Sequence, residues 1–170
     1  MRLVKYIITS IVTLYIGFIL FMPKEHLYYK VESILKEQGV VIGNEEMQSS
    51  LLDLKLLHPV IYYQGLDIAR VSIFKFKPLL IINSLSAENI ELLGVAKELN
   101  IEIDSIKANH IITKPYHIKV DIDANFGIAS GYIDLKERVV HIDIVEPKDI
   151  KRLRRFLKKG QKGWFYESKF

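Results

Sequence analysis

The sequence predicts a mainly β protein that is held to a membrane by one N-terminal helix. Several runs alternate apolar and charged residues, as in Ile118, Val120 and Ile122, which is the pattern of strands with one buried face. The first two dozen residues contain a long apolar run without charge. The roughly 145 residues that follow are enough for one hydrophobic core but too few for two ordinary domains. We therefore expect one β domain behind a membrane anchor.

The anchor is predicted from the apolar run 6–22, which contains no charged residue. At a rise of 1.5 Å per residue these residues span about 25 Å, close to the thickness of the hydrocarbon core of a bilayer. A cleaved signal peptide is the alternative. Its apolar part usually has about 7 to 15 residues, and no small-residue cleavage site precedes Pro23. The sequence therefore predicts an uncleaved anchor at 1–23.

The orientation of the anchor is predicted from the two basic residues that precede it. Arg2 and Lys5 lie close enough to the apolar run to keep the N-terminus in the cytoplasm. The rest of the chain then lies on the other side of the membrane. In a bacterium with two membranes, this makes the chain a single-pass inner-membrane protein with a periplasmic body.

The body, 24–146, is predicted as a short helix followed by a curved antiparallel β-sheet. Leu27, Val31 and Leu35 recur at helical spacing within 25–38, before Gly39. From there the period shortens to that of strands, and β-branched residues are frequent. The predicted strands are 39–43, 51–57, 60–64, 65–76, 79–85, 118–123, 126–135 and 139–146, with isolated glycines, such as Gly127 and Gly131, at turns, bulges or bends.

The last predicted element is a basic amphipathic helix with an aromatic tail, at 147–170. Pro147 suits a first helical turn, and Ile150, Leu153 and Leu157 recur on one face together with Phe156. Nine basic residues against two acidic ones give this segment a charge of +7, so the other 146 residues carry −3 of the total of +4. The residues expected to contact a membrane or a partner are Lys151, Arg152, Arg154, Arg155, Lys158, Lys159 and Trp164.

The basic segment has four interpretations. It is a solvated face whose apolar stripe packs on the sheet, or it binds anionic lipid with the aromatic cluster 164–166 at the interface. An acidic protein is the third candidate partner. Nucleic acid is the fourth, and a periplasmic location makes it unlikely.

No catalytic, cofactor or metal site is predicted. The five histidines are scattered, and the chain has no cysteine to complete a zinc site or to form a disulfide. Ser130 lies in a glycine-flanked run whose spacing differs from that of a nucleophile elbow. Asp121 and Asp123 share a solvent-facing strand face with Lys119, so they are not expected to act as a catalytic pair. We expect a binding or assembly component, not an enzyme.

The order of these features resembles the type II secretion system protein N family (GspN), which is related to the AsmA-like periplasmic proteins. The anchor leading into 21–27, the short helix before Gly39 and the run 59–69 carry the resemblance, and the glycine-punctuated strand and hairpin at 125–135 is the best local match. The resemblance implies an AsmA/LptC-like curved sheet. It also implies a non-enzymatic accessory of a type II secretion or related pilus-like system, whose periplasmic domain docks other envelope components.

A lipid-binding or lipid-transport module similar to LptC or to the AsmA-like proteins is the alternative. In such a protein, a curved sheet shields acyl chains in an apolar groove. The runs 71–76 and 79–82 are candidates to line this groove, although burial in an ordinary core explains them as well. An extracytoplasmic enzyme with a polar cleft also stays open.

Overall fold

The computed structural model describes residues 2–161 and 163–170, and within 95–99 it describes the side chains of Lys97 and Glu98. A short 3₁₀ helix lies at Gly94–Leu99. The helices are α1 (Arg2–Phe21) and α2 (Lys24–Glu37), and the strands are β1 (Val40–Gly43), β2 (Glu46–Ser49), β3 (Leu54–Leu57), β4 (Val60–Tyr63), β5 (Leu66–Pro78), β6 (Ile82–Leu92), β7 (Glu102–Ile111), β8 (His117–Ala124), β9 (Gly127–Asp134), β10 (Val139–Pro147), β11 (Lys158–Gly160) and β12 (Gly163–Lys169).

All of these strands join one open antiparallel sheet. Its order is β1-β4-β5-β6-β7-β8-β9-β10-β12-β11, and β3 pairs with both β2 and β5. From β5 to β10 every strand pairs with its neighbours in sequence, which is the topology of a β-meander. The predictions of a mainly β fold, an antiparallel sheet and an N-terminal apolar helix are confirmed.

The first four strands are in fact two long strands, each interrupted once. Gly43 pairs with Val60, and Glu46, three residues later, pairs with Leu57, three residues earlier. The register of the pair 40–49 and 54–63 therefore continues across both breaks. Each break contains a non-glycine residue with a positive φ, Asn44 at 61° in one and His58 at 53° in the other.

A line of irregular positions continues from these breaks across the sheet. The His58 amide donates to the Ser72 carbonyl of β5, and Ser72 lies opposite Asn89 of β6, whose φ is 50°. The register then shifts around Asp104 in β7 and around Val145 in β10. Because bulges bend a strand and increase its twist, this bulge line curves the whole sheet.

The two faces of the sheet differ sharply in polarity. The residue pairing defines rows of residues that lie opposite one another on successive strands, and two adjacent rows show the difference. One row is apolar and lies on what we call the apolar face: Leu56, Phe74, Ala87, Ile106, Ile122, Ala129 and Ile144. The next row lies on the opposite, polar face: Lys55, Lys75, Ser86, Lys107, Asp121, Ser130 and Asp143.

The hydrophobic core consists of three clusters strung along the sheet. Tyr28 of α2 covers Leu54 and Leu56 at one side. Ile150, which follows β10, covers a cluster that includes Ala129 at the other side. A third cluster involves β4 to β7. Each cluster consists of residues from neighbouring strands. The core therefore lies along one sheet and not between two packed sheets.

The predicted C-terminal helix is wrong. No helix forms in the described part of 147–170; instead, a series of turns packs on the sheet, and β11 and β12 extend it. The Leu153 amide donates to the Ile150 carbonyl over 3.0 Å, and the Phe156 amide donates to the Leu153 carbonyl over 2.8 Å. Successive turns of this kind place apolar residues three apart, which is also a helical spacing.

Like charges oppose the extension of these turns into a helix. A helix over this segment would place Lys151 next to Arg155 and Arg154 next to Lys158, and like charges four residues apart destabilise a helix. Gly160 is also a poor helix former. Four strands, β2, β7, β11 and β12, were not among the predicted strands.

Candidate functional site

α1 is long and apolar enough to cross a membrane. Its most apolar 18-residue window has a mean hydropathy of 2.0, and 6% of that window is buried. Two contacts connect the helix to the body. Tyr15 Oη donates to the carbonyl of Leu79 over 2.8 Å, and the buried Lys24 Nζ donates to the Ile19 carbonyl over 3.5 Å. These contacts place α1 at one particular end of the sheet.

That end carries the turns 50–53, 79–81, 112–116 and 135–138, which connect the strands on the side where β5 ends. We call these four turns the apolar rim, because each has exposed large apolar side chains. The exposed fractions are 68% for Leu51, 51% for Leu52, 48% for Ile81, 57% for Ile112, 57% for Tyr116 and 44% for Leu135.

The opposite end of the strands carries the segment 148–157 and is here called the basic end. It also contains the turns 64–65 and 125–126 and the 3₁₀ helix. Arg152 Nη1 lies 3.4 Å from the carbonyl oxygen of Glu98, which connects the basic segment to the loop after β6. The two ends therefore differ: arginine and lysine side chains dominate 148–157, whereas the rim has exposed apolar side chains beside charged ones such as Lys114 and Arg138.

The structure brings together some of the predicted contact residues. The Arg154 guanidinium lies 5.6 Å from the centre of the Trp164 ring, and Lys159 Nζ lies 6.0 Å from it. Lys158 forms an ion pair of 3.5 Å with Glu167. The Arg155 guanidinium instead covers Phe156, and Lys151 and Arg152 are exposed. Trp164 thus holds two cations in cation–π geometry.

A row of stacked rings on the polar face was not predicted. His117, Tyr132, His141 and Phe165 stack in sequence across β8, β9, β10 and β12, with ring centres 4.7, 5.5 and 5.2 Å apart. His141 Nδ1 lies 3.1 Å from a carboxylate oxygen of Glu167, and this hydrogen bond lowers the pKa of Glu167. Alternation places each ring on the polar face, but only the register between strands brings the rings together.

Asp121, which was considered from the sequence as part of a carboxylate pair, forms a local polar cluster with Ser130 and Lys119. Ser130 Oγ donates to Asp121 Oδ1 over 2.7 Å, and Lys119 Nζ lies 3.0 Å from Oδ2. The hydrogen bond from Ser130 and the nearby lysine lower the pKa of Asp121 below its ordinary value. A carboxylate of lowered pKa is a weak base, so this arrangement suits a structural hydrogen bond better than the activation of Ser130.

Tyr28 lies in the first half of α2. It is buried, and its hydroxyl donates to Glu45 Oε1 over 3.0 Å. Burial, with the neighbouring Glu45 carboxylate, raises the pKa of Tyr28 well above its ordinary value. The phenol therefore stays protonated and fastens α2 to the connection between β1 and β2.

Across the described ranges 2–161 and 163–170, no three His, Asp or Glu side chains are grouped so that they could hold a metal ion. Comparison with known proteins gives no relative: no family model, no curated protein and no solved structure matches this chain. Its function must therefore be inferred from the geometry of its own sheet, edges and ends.

Proposed function

We propose that this protein is a membrane-anchored, non-enzymatic module of the bacterial envelope that holds the acyl chains of lipids on the apolar face of its sheet. α1 is the single inner-membrane anchor, and Arg2 and Lys5 keep its N-terminus in the cytoplasm. The sheet then lies in the periplasm. A curved sheet with this role is the architecture expected of an AsmA/LptC-like protein.

The observation that supports this proposal is an apolar face without a second layer over it. Such a face normally packs on a helix layer or on another sheet. In the described part of this chain, Tyr28 covers one side of the face and Ile150 covers the other. Between these, the second apolar row is unevenly buried: Phe76, Leu85 and Ala108 are only partly buried, whereas Val120 beside Ala108 is 6% exposed.

An acyl chain matches this surface in shape and chemistry. The row is linear, and the residues that flank it on the face are also apolar, such as Ile106 and Ile118. Each methylene kept from water contributes about 0.8 kcal/mol, so the row stabilises an acyl chain while the lipid is outside the bilayer.

Photocrosslinking in cells tests this proposal, with a benzophenone amino acid at either of two adjacent positions of β6. Leu85 lies on the apolar face and Ser86 on the polar face, at nearly the same distance from α1. We expect lipid adducts, identified by mass spectrometry, at position 85 and not at position 86. Absence of lipid at position 85, or equal labelling at both positions, would overturn the proposal.

A second proposed function is the docking of a type II secretion or other envelope component. Its support is the free edge at β2, because an exposed edge can accept a strand from another protein. α2 lies against β1, so β2 is the open part of that edge, while β11 at the other edge has three residues, two of them lysines.

The same crosslinking method tests docking, with probes at Gln48 on β2 and at Lys151 and Lys158 in the basic segment. Adducts with secretion-system subunits would support the role of an accessory. If the probes at all three positions recover no envelope protein while lipid is labelled at position 85, the docking role is rejected and lipid binding stands.

A further inference from the structure

We propose that the apolar rim lies in the outer leaflet of the membrane that holds α1, so that the sheet stands upright on the bilayer with its basic end pointing away. This orientation rests on the membrane anchoring proposed above, but not on the binding of lipid to the apolar face. The four turns of the rim thus contact the bilayer itself.

The rim combines exposed large apolar side chains with the charged side chains of Lys114, Lys136, Glu137 and Arg138, whose long stems can carry the charge to the headgroup region of a bilayer. Turns favour Gly, Pro, Asn, Asp and Ser, and soluble proteins rarely expose a continuous group of large apolar side chains. Here each of the four turns exposes such a side chain, among them Leu51, Ile112 and Leu135. At the opposite end, the turn 64–65 is Gln-Gly and Phe126 in the turn 125–126 is buried, while Leu66, directly after the first of these turns, is 66% exposed.

The contact of α1 with the rim fixes the depth at which the rim would lie. Tyr15 lies six residues before Phe21, or about 9 Å along the helix axis. If α1 spans the bilayer, the Tyr15 hydroxyl lies below the surface of the hydrocarbon core, where an unpaired polar group costs several kcal/mol. Its acceptor is the Leu79 carbonyl of the rim. The turn 79–81 therefore lies at the depth of Tyr15.

The backbone of the rim is suited to an environment without water. The Ile81 amide donates to the Leu79 carbonyl over 2.7 Å, and the Ile112 amide donates to the Ile81 carbonyl over 3.0 Å. The Leu135 amide donates to the Tyr116 carbonyl over 2.8 Å. These bonds join three neighbouring turns and satisfy amides that would otherwise need water. Tyr116 also has the amphipathic ring that is frequent at membrane interfaces.

The course of α2 agrees with this orientation. The helix begins beside the α1 junction, and the Gly39 carbonyl just beyond its end accepts the Gln64 amide at the opposite end of the sheet. The strands therefore run away from the end where α1 leaves the body. At 3.3 Å per residue, a strand of nine residues such as β10 separates the two ends by about 30 Å.

Depth-dependent fluorescence quenching in the full-length protein tests this proposal, because the chain contains a single tryptophan, Trp164. The protein is reconstituted in lipid nanodiscs whose phosphatidylcholine is brominated near the headgroup end of the acyl chains. In a Trp164→Phe background, Phe18→Trp probes α1, Ile112→Trp probes the rim and Val145→Trp probes the distal half of the sheet. All three positions are exposed, so the substitutions should leave folding intact.

We expect quenching at position 112 comparable with that at position 18, and several-fold weaker quenching at position 145 and of the native Trp164. Quenching at position 18 alone would overturn the upright orientation and leave the anchor in place. No quenching at position 18 would reject the anchor itself. Stronger quenching of Trp164 than of position 112 would reverse the orientation and assign the lipid contact to the basic end.

Discussion

Asp121 shows how single polar residues act on the polar face. Its carboxylate accepts a hydrogen bond from Ser130 on the neighbouring strand and lies within ion-pair distance of Lys119 on its own strand. The sequence predicted that Asp121 and Lys119 share a face, because side chains alternate along a strand. It could not predict the contact with Ser130, since this depends on the register between β8 and β9.

This contact makes the stability of the protein depend on pH in a defined direction. The folded pKa of Asp121 lies below its ordinary value of 3.8, so the ionised carboxylate stabilises the fold at higher pH and this contribution is lost as pH falls through the folded pKa. We expect Asp121→Asn to lower the free energy of unfolding near neutral pH by at most about 1 kcal/mol, because the pair is partly exposed.

Urea denaturation at several pH values measures this effect. The difference between native protein and Asp121→Asn should shrink as pH falls from about 6 through the folded pKa of Asp121. Asp123→Asn is the matched control, since Asp123 is exposed on the same strand. A difference that stays constant over this range would show that the charge of Asp121 contributes nothing.

At the scale of elements, the regular strands were the predictable part of the fold. β8 and β10 alternate without interruption over most of their length, and both were identified. β7 was missed because Asp104 is an extra residue in the strand, so the apolar residues Ile103 and Ile106 are three apart instead of two. A bulge thus removes the period on which the prediction of a strand depends.

The C-terminal segment was mispredicted because its turns place apolar residues three apart, as a helix does. Substitutions in this segment test how it packs. Ile150 is 6% exposed in a core cluster, whereas Phe156 is 49% exposed beneath Arg155. We expect Ile150→Ala to destabilise the protein by about 2 to 4 kcal/mol, and Phe156→Ala by less than about 0.5 kcal/mol. A docked amphipathic helix would bury both side chains, and equal losses in chemical denaturation would favour it.

At the scale of the whole molecule, the proposed upright orientation separates the basic end from the bilayer. Electrostatic attraction decays over about 8 Å at physiological ionic strength, and the basic end lies about 30 Å from the rim. The cations around Trp164 are then available to an acidic partner in the periplasm. This favours a protein over the underlying lipid as the partner of the basic segment.

The triple substitution Arg152→Gln, Arg154→Gln and Arg155→Gln tests this separation. In nanodiscs rich in anionic lipid, we expect the quenching of a tryptophan at position 112 to remain as it is without the substitutions. Lys114→Gln in the rim is the matched control and should reduce that quenching when the lipid is anionic. A loss of quenching in the triple variant would show that the basic segment holds the sheet to the membrane.

The shape of the whole sheet was only partly accessible from the sequence. The N-terminal apolar helix and the antiparallel sheet follow from composition and period. The apolar rim does not, because Leu51, Ile81 and Ile112 lie in separate turns whose proximity depends on the order of the strands. Of the two runs that suggested a groove, 79–82 lies at this end of the sheet, whereas 71–76 lies within β5.

The meander also has a consequence for how the chain acquires its structure. From β5 to β10 each strand pairs with the strand made just before it, so every new pairing closes a short loop and requires little chain entropy. A chain whose N-terminus stays anchored while the following strands cross the membrane in chain order can therefore form one hairpin at a time as it emerges. Among the described strands after β5, only the pairing of β10 with β12 bypasses a strand, so it must wait until β12 has emerged.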